Sequence, residues 1–244
     1  GLDAGEQLIH LLGDEHARRF VEDHQAGAGQ EHLQDLDPLT LPDRQVAHLG
    51  LGIDGETEPL GGLGDVGRQP GAVEADAGRR FLQPKLVDLI RPAQMPGITG
   101  AVARLARALE QKEKITVYGD YDVDGITGVS ILWELLTLLG ASVDYYIPHR
   151  IEEGYGLNSE AVRSLARAGT KLLITVDCGI TALEAVNLAG QLGLDVIVTD
   201  HHQPESAFPN ATAIVHPILD KSYPNQDSAG AMVAYKLAWA IAEQ

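Results

Sequence analysis

Val117-Tyr-Gly-Asp120-Tyr-Asp122-Val-Asp124-Gly125 sets three carboxylates at alternate positions directly after an apolar run, residues 115–118. Carboxylates this close repel one another, and a divalent cation with hard oxygen ligands is the usual means of keeping them all ionised. The alternative is a strand-to-helix turn in which an Asp caps the next helix. Three acids at alternate positions, followed by the helical opening Gly125-Ile-Thr-Gly128, favour metal.

Two later runs end in the same chemistry: Ile174-Thr-Val-Asp177-Cys-Gly179 and Val196-Ile-Val-Thr-Asp200-His201-His202. In an open parallel sheet the carboxyl ends of the strands line one crevice, so residues far apart in sequence converge there. Aspartates and adjacent histidines in such a crevice suit two divalent ions. The intervening pattern agrees. Strand-like runs at 115–118, 143–147, 172–176, 196–199 and 213–215 alternate with helical patterns at 127–139, 159–168, 181–192 and 229–242. That alternation predicts an α/β, Rossmann-like fold with a mostly parallel sheet and helices on both faces. Residues 98–111 read as an amphipathic helix leading into the first strand, with Pro96 just before it.

At 244 residues and 44% apolar composition the chain can build a sizeable core of one or two domains. No apolar stretch reaches the roughly 18 residues that suggest a membrane span, and the first residues lack signal-peptide character. One cysteine, Cys178, excludes an internal disulfide and fits a cytoplasmic protein; it reads as a small buried residue. The net charge of −17 is unfavourable for a nucleic-acid binder, but it is unevenly placed. Residues 1–80 carry 16 acidic and 6 basic residues, whereas several later acids are the candidate metal ligands, which bound cations would offset. Acidity therefore leaves a DNA substrate open.

Composition shifts near residues 70–85. Before the shift there is no Lys, Tyr, Trp, Cys or Met, and 49–71 is rich in Gly, Asp, Glu and Pro without sustained periodicity. Residues 1–71 are therefore expected to be of low order, with a short helix possible at 6–22. His10, His16, His24, His32 and His48 lie here without the pairing of a recognised metal site.

The triplet Asp200-His201-His202, with the aspartate motifs before it, resembles the DHH phosphoesterase superfamily. Phe81-Leu-Gln-Pro-Lys-Leu, Pro96-Gly-Ile-Thr-Gly-Ala-Val-Ala-Arg104, Ile147-Pro-His-Arg150, Glu153-Gly-Tyr-Gly-Leu-Asn158 and Ser228-Ala-Gly-Ala-Met-Val-Ala-Tyr-Lys236 narrow the resemblance to its RecJ family of single-strand-specific DNA exonucleases. The resemblance runs from about residue 72 to the C-terminus and implies a helical lead-in at 72–111 and a DHH domain at 112–244. It leaves 1–71 outside the family pattern, as a fusion or misread frame would. It also implies that the domain is cut short, before a further aspartate motif, a DHH-associated domain and an OB-fold.

Residue by residue, the resemblance assigns Asp122, Asp124, Asp177 and His201 to two Mn²⁺ or Mg²⁺ ions, with Asp177 as the bridge and Asp120 as either an additional ligand or a residue that supports the ligands. His202 would contact the scissile phosphate, and Asp200 would work beside it by orienting a histidine. His149 and Arg150 would face phosphate and Tyr155 would stack on a base, the alternative being a turn in which Asn158 or Ser159 caps a helix. Ser228 and Gly230 would present a helix N-terminus to phosphate. Lys236 reads either as a phosphate contact or as a solvated helix charge, and His216 as structural. The implied activity is 5′ to 3′ hydrolysis of single-stranded DNA in recombination and repair. Rival readings are a small-substrate phosphodiesterase acting on oligonucleotides or cyclic dinucleotides, a polyphosphate phosphatase, and a non-catalytic DNA-binding fragment.

Overall fold

The computed structural model describes Leu82, Gln83 and residues 85–205 and 207–244. The expectations for residues 1–71, including the helix at 6–22, and for the start of the lead-in at 72–81 lie outside the described residues. Leu86–Asp88 is a 3₁₀ turn in which the Lys85 N–H donates to Asp88 Oδ2 at 3.2 Å. From Leu89 to Gln244 the described chain forms one compact unit.

That unit begins with a second 3₁₀ turn, Pro92–Gln94, and helix α1, Ile98–Glu110. Helix α1 buries Ile98, Ala101, Val102, Leu105 and Ala108, the spacing of one helical face. Gly97 precedes it at φ 81°, and a Cβ there would fall 1.7 Å from the Ile214 carbonyl oxygen, so only glycine admits this approach.

The remaining elements alternate: β1 Ile115–Gly119, α2 Val123–Leu138, β2 Val143–Tyr146, α3 Ser159–Arg167, β3 Leu172–Val176, α4 Leu183–Gln191, β4 Asp195–Thr199, β5 Ala213–Val215 and α5 Gly230–Ala242. The five strands form one sheet in the order β2-β1-β3-β4-β5, and every pairing is parallel. The fold is the expected α/β class. Strand periodicity sorts the core into two layers. Ile115, Val117, Leu172, Ile174, Val176 and Ile197 face α1, α2 and α5, while Tyr118, Leu173, Val196 and Val198 face α3 and α4. Each fully buried aliphatic side chain here contributes about 1.5–3 kcal/mol by leaving water.

Helix α2 starts four residues before the apolar periodicity predicts. Asp122 is its N-cap and accepts the Gly125 N–H at 2.9 Å, which places Asp124 inside the first turn. Gly125 and Gly128 weaken the helical signal but serve packing. A Cβ on Gly125 would lie 2.5 Å from the Asp120 carbonyl oxygen, and one on Gly128 would lie 2.5 Å from Val176 Cγ1.

The chain steps from β1 outward to β2 and then returns to lay β3 on the other side of β1. This reversal opens a crevice at the carboxyl ends of β1 and β3, the place where open α/β sheets bind ligands. The opposite edge is closed by Arg104 of α1, 5% exposed, which donates to Glu113 and Asp195. Among the described residues no helix is long and apolar enough to cross a membrane.

Candidate metal centre

Asp120 leaves β1 while still in the sheet, its N–H donating to the Val176 carbonyl at 3.3 Å. Its side chain is 2% exposed and its Oδ1 has no hydrogen-bond partner. Burial raises its pKa. Asp177 leaves β3 in the same way but at φ 60°, a left-handed conformation that is uncommon outside glycine. It is 1% exposed, and its Oδ1 is likewise without a hydrogen bond. Burial first, then the charges of Asp124 and Asp122, push its pKa up to about 8.

Around these two buried oxygens the crevice gathers further ligand atoms. Oxygens of Asp120, Asp122 and Asp177 all lie within 4.8 Å of one another, and so do ligand atoms of Asp177, His201 and His202. His201 Nε2 comes within 3.0 Å of Asp177 Oδ1 without meeting hydrogen-bond geometry, and lies 3.6 Å from Asp124 Oδ2. Asp177 thus belongs to both groups. Hard oxygens with one or two imidazoles form a donor set suited to Mn²⁺ or Mg²⁺, and the two orphaned carboxylate oxygens fit a cation between them.

Asp200 sits deeper. Its Oδ1 accepts the His201 N–H at 2.7 Å, the His202 N–H at 3.1 Å and His202 Nδ1 at 2.8 Å, while Oδ2 accepts the Ile180 N–H at 2.9 Å. With three donors on Oδ1 and the residue only 1% exposed, Asp200 holds the His202 ring. The bond to Asp200 raises the His202 pKa. His216, fully buried, uses Nε2 against the His202 carbonyl at 2.9 Å and Nδ1 to accept the Ile218 N–H at 3.3 Å. Its two bonds pin the histidine pair from behind, and burial lowers its pKa, which keeps it neutral.

The loop after β2 reaches the same crevice. The Tyr155 hydroxyl lies 3.2 Å from His202 Nδ1 and 3.3 Å from its Nε2, and donates to the Asp177 carbonyl at 3.4 Å. Over half of Tyr155 remains exposed. The Arg150 guanidinium stacks on the Tyr121 ring at 5.2 Å, beside the aspartates. The His149 N–H is bonded to Glu153 Oε2 at 2.7 Å, and Glu153 Oε1 accepts the Tyr146 hydroxyl at 2.6 Å. Asn158 caps α3 through the Ala161 N–H, so the capping alternative holds alongside whatever the loop binds. Glu153 as brace and Tyr121 as platform were not singled out from the sequence, although both lie inside quoted motifs.

Two sequence expectations change. The start of α5, assigned to phosphate, has its Gly230 and Ala231 N–H groups bonded to Asp124 Oδ2 and Oδ1 at 2.6 and 2.7 Å, and Ser228 Oγ donates to the Asn225 carbonyl. An internal carboxylate has taken the helix end. Lys236 is neither a phosphate contact nor a solvated charge. At 2% exposed it donates to the Ile90 carbonyl and lies 4.7 Å from the Trp239 ring centroid, with burial holding its pKa down at about 8. Cys178 is buried, as expected, and burial raises its thiol pKa.

Residues 114–244 match the DHH family, N-terminal domain. The single-stranded-DNA-specific exonuclease RecJ of Bacillus subtilis (strain 168) is 47% identical over 168 residues, which are 68% of this chain and 21% of that protein. A crystal structure of exonuclease RecJ bound to manganese matches with TM-score 0.60 and 42% identity, covering 64% of this chain and 40% of that one. The RecJ of Thermus thermophilus in complex with Mn²⁺ matches with TM-score 0.56 and 38% identity over 66% of this chain and 22% of that one. The chain thus spans well under half the length of the relatives it matches.

Proposed function

The chain belongs to the DHH family, and from that premise we propose that it is the metal-binding catalytic domain of a RecJ-type exonuclease, hydrolysing phosphodiester bonds of single-stranded DNA from the 5′ end. The reading places it in the cytoplasm, in recombination and repair. One observation carries it: Asp120 Oδ1 and Asp177 Oδ1 are buried, without a hydrogen bond, in a crevice where further carboxylates and an imidazole converge. Unpaired buried carboxylates are costly, and a cation satisfies both. The similarity to exonucleases crystallised with manganese supports the same reading.

In this assignment Asp120, Asp122 and Asp177 would hold one ion, and Asp177 and His201, with Asp124 beside them, would hold the second. Two divalent cations, Mn²⁺ or Mg²⁺, would supply the charge that neutralises phosphate oxygens and acidifies the attacking water. The rest falls to the chain's own side chains. Asp200 fixes the His202 ring through Nδ1 and favours its protonated form, which leaves Nε2 as the donor to the phosphate while charge develops. Arg150, held on Tyr121, offers a guanidinium to a neighbouring phosphate, with His149 on the same loop. The exposed Tyr155 ring is a surface for a terminal base. Asp200 acts through His202 and is a positioning residue. Ser228 and Gly230 do not enter the phosphate contacts, because Asp124 engages the Gly230 N–H and the buried Ser228 hydroxyl donates to the Asn225 carbonyl.

The test incubates the purified chain with Mn²⁺ and 5′-labelled single-stranded DNA, with duplex DNA, a dinucleotide and a chelator as controls. Chelator-sensitive release of mononucleotides from the single strand supports the proposal. Cleavage of the dinucleotide alone would replace it with the small-substrate reading, and metal binding without turnover would replace it with a non-catalytic one.

A further inference from the structure

The motif Ser228-Ala-Gly230 is left without a task once the phosphate assignment is withdrawn, yet its surroundings are specific. Helix α5 has no side-chain cap of its own: Ala229 is the N-cap residue and offers no side-chain bond. The missing acceptors come from 106 and 107 residues away, where Asp124 gives one oxygen to the Gly230 N–H and the other to the Ala231 N–H. A charged acceptor makes such bonds short and directional, and both carboxylate oxygens are oriented by them. Gly230 also faces the shared ligand, Asp177. A Cβ at this position would stand 2.3 Å from Asp177 Oδ1, 2.7 Å from its Cγ and 2.8 Å from its Cβ. The backbone of α5 therefore packs directly on the buried carboxylate that belongs to both ligand groups.

From these contacts we infer that Gly230, with the N–H of Ala231, is a positioning device for the metal centre: the start of α5 orients Asp124 and limits where Asp177 can stand, so it sets how the two cation positions share one bridge. The inference deepens the metal-centre reading under Proposed function and rests on it. Glycine is otherwise a poor choice for the first turn of a helix. Alanine ordinarily favours a helix over glycine, so a loss caused by Gly230→Ala arises from the carboxylate and not from helix propensity. The helix end is consumed in this role, which is why it has no donors at Gly230 and Ala231 for substrate.

Gly230→Ala adds a methyl against Asp177, and Ala231→Pro deletes one N–H from Asp124 while leaving the space around Asp177 unchanged. Leu237→Ala serves as a packing control, because it removes a fully buried side chain from α5 well beyond Gly230 and adds nothing against a carboxylate. Each variant of the chain is titrated with Mn²⁺ alone by calorimetry and by electron paramagnetic resonance, and melted in chelator. The wild type is expected to bind two ions with an exchange-coupled signal. Gly230→Ala should lose affinity for both by about 10–100-fold, the cost usual for disturbing groups that orient metal ligands, and should lose the coupled signal. Ala231→Pro should weaken one ion about 10-fold and leave the other, giving an uncoupled signal. Leu237→Ala should lower the melting temperature with an unchanged titration. A folded Gly230→Ala that binds two coupled ions as the wild type does overturns the inference. If that variant does not fold, an unchanged titration for Ala231→Pro overturns it instead. A wild type that binds no Mn²⁺ defeats the metal-centre reading itself, and the inference with it.

Discussion

The two edges of the sheet handle buried charge in opposite ways. At the amino edge the buried Arg104 is matched by Glu113 and Asp195, with Nη1 alone of its nitrogens unpartnered, and the more exposed Lys114 pairs with Asp144 at 2.8 Å, so opposite charges meet within the chain. At the carboxyl edge, Asp120, Asp122, Asp124, Asp177 and Asp200 face two histidines and Arg150, with two carboxylate oxygens unpaired. Asp177 adds a strained backbone. Strain and unpaired charge together are costly to the apo fold, and they persist where a ligand removes the cost on binding. The amino edge is built for stability and the carboxyl edge for a cation.

The hardest test of this contrast is Asp177→Asn. Hydrolysis should fall by at least about 10²–10³-fold, the scale of removing a preorganised charged group from a transition state, as measured by release of labelled mononucleotide. The metal-free fold should gain stability from the same change. Arg104→Ala should do the reverse at the other edge. Its two carboxylates keep partial access to water, which moderates the loss to about 1–3 kcal/mol in urea unfolding, with Mn²⁺ affinity unchanged.

A pH series sharpens the comparison without relying on activity. The folded pKa of Asp177, about 8, lies above its unfolded value near 3.8, so between those limits the folded chain binds more protons than the unfolded one. Stability in chelator should therefore fall as pH rises from about 4 to about 8, by up to about 1.4 kcal/mol per pH unit from this group. Asp177→Asn should remove that component, and a wild type and variant of equal slope would show that Asp177 is solvated or paired. The smallest effect is expected for Tyr155→Phe. Losing one hydroxyl contact to His202 should cost under about 10-fold in kcat, the worth of a single neutral hydrogen bond, while the retained ring leaves KM for single-stranded DNA little changed.

The legible part of this molecule is local. Alternate carboxylates after an apolar run, and a histidine pair after another, are written within nine residues or fewer, and strand periodicity alone puts them at strand ends. The α/β class followed from the same alternation. The helix boundary at Val123 was obscured because Gly125 and Gly128 lower helix propensity for the sake of contacts to Asp120 and Val176 that no local window contains.

By itself the sequence determined which side chains are available for chemistry and at which end of which strand they stand, since both depend on neighbours one to four residues away. Only the tertiary structure decided the strand order β2-β1-β3-β4-β5, which brings the ends of β1 and β3 together. It also gave Asp124 to the start of α5, Asp200 to His202 and Lys236 to the Ile90 carbonyl. The bonds of Asp124 and Lys236 join residues more than a hundred positions apart, and the Asp200–His202 bond depends on a turn pinned by His216. Hydrogen-bond satisfaction in a packed interior is a property of the whole fold, so one charged side chain becomes a cap, another an anchor, and the two left unpaired mark the metal centre.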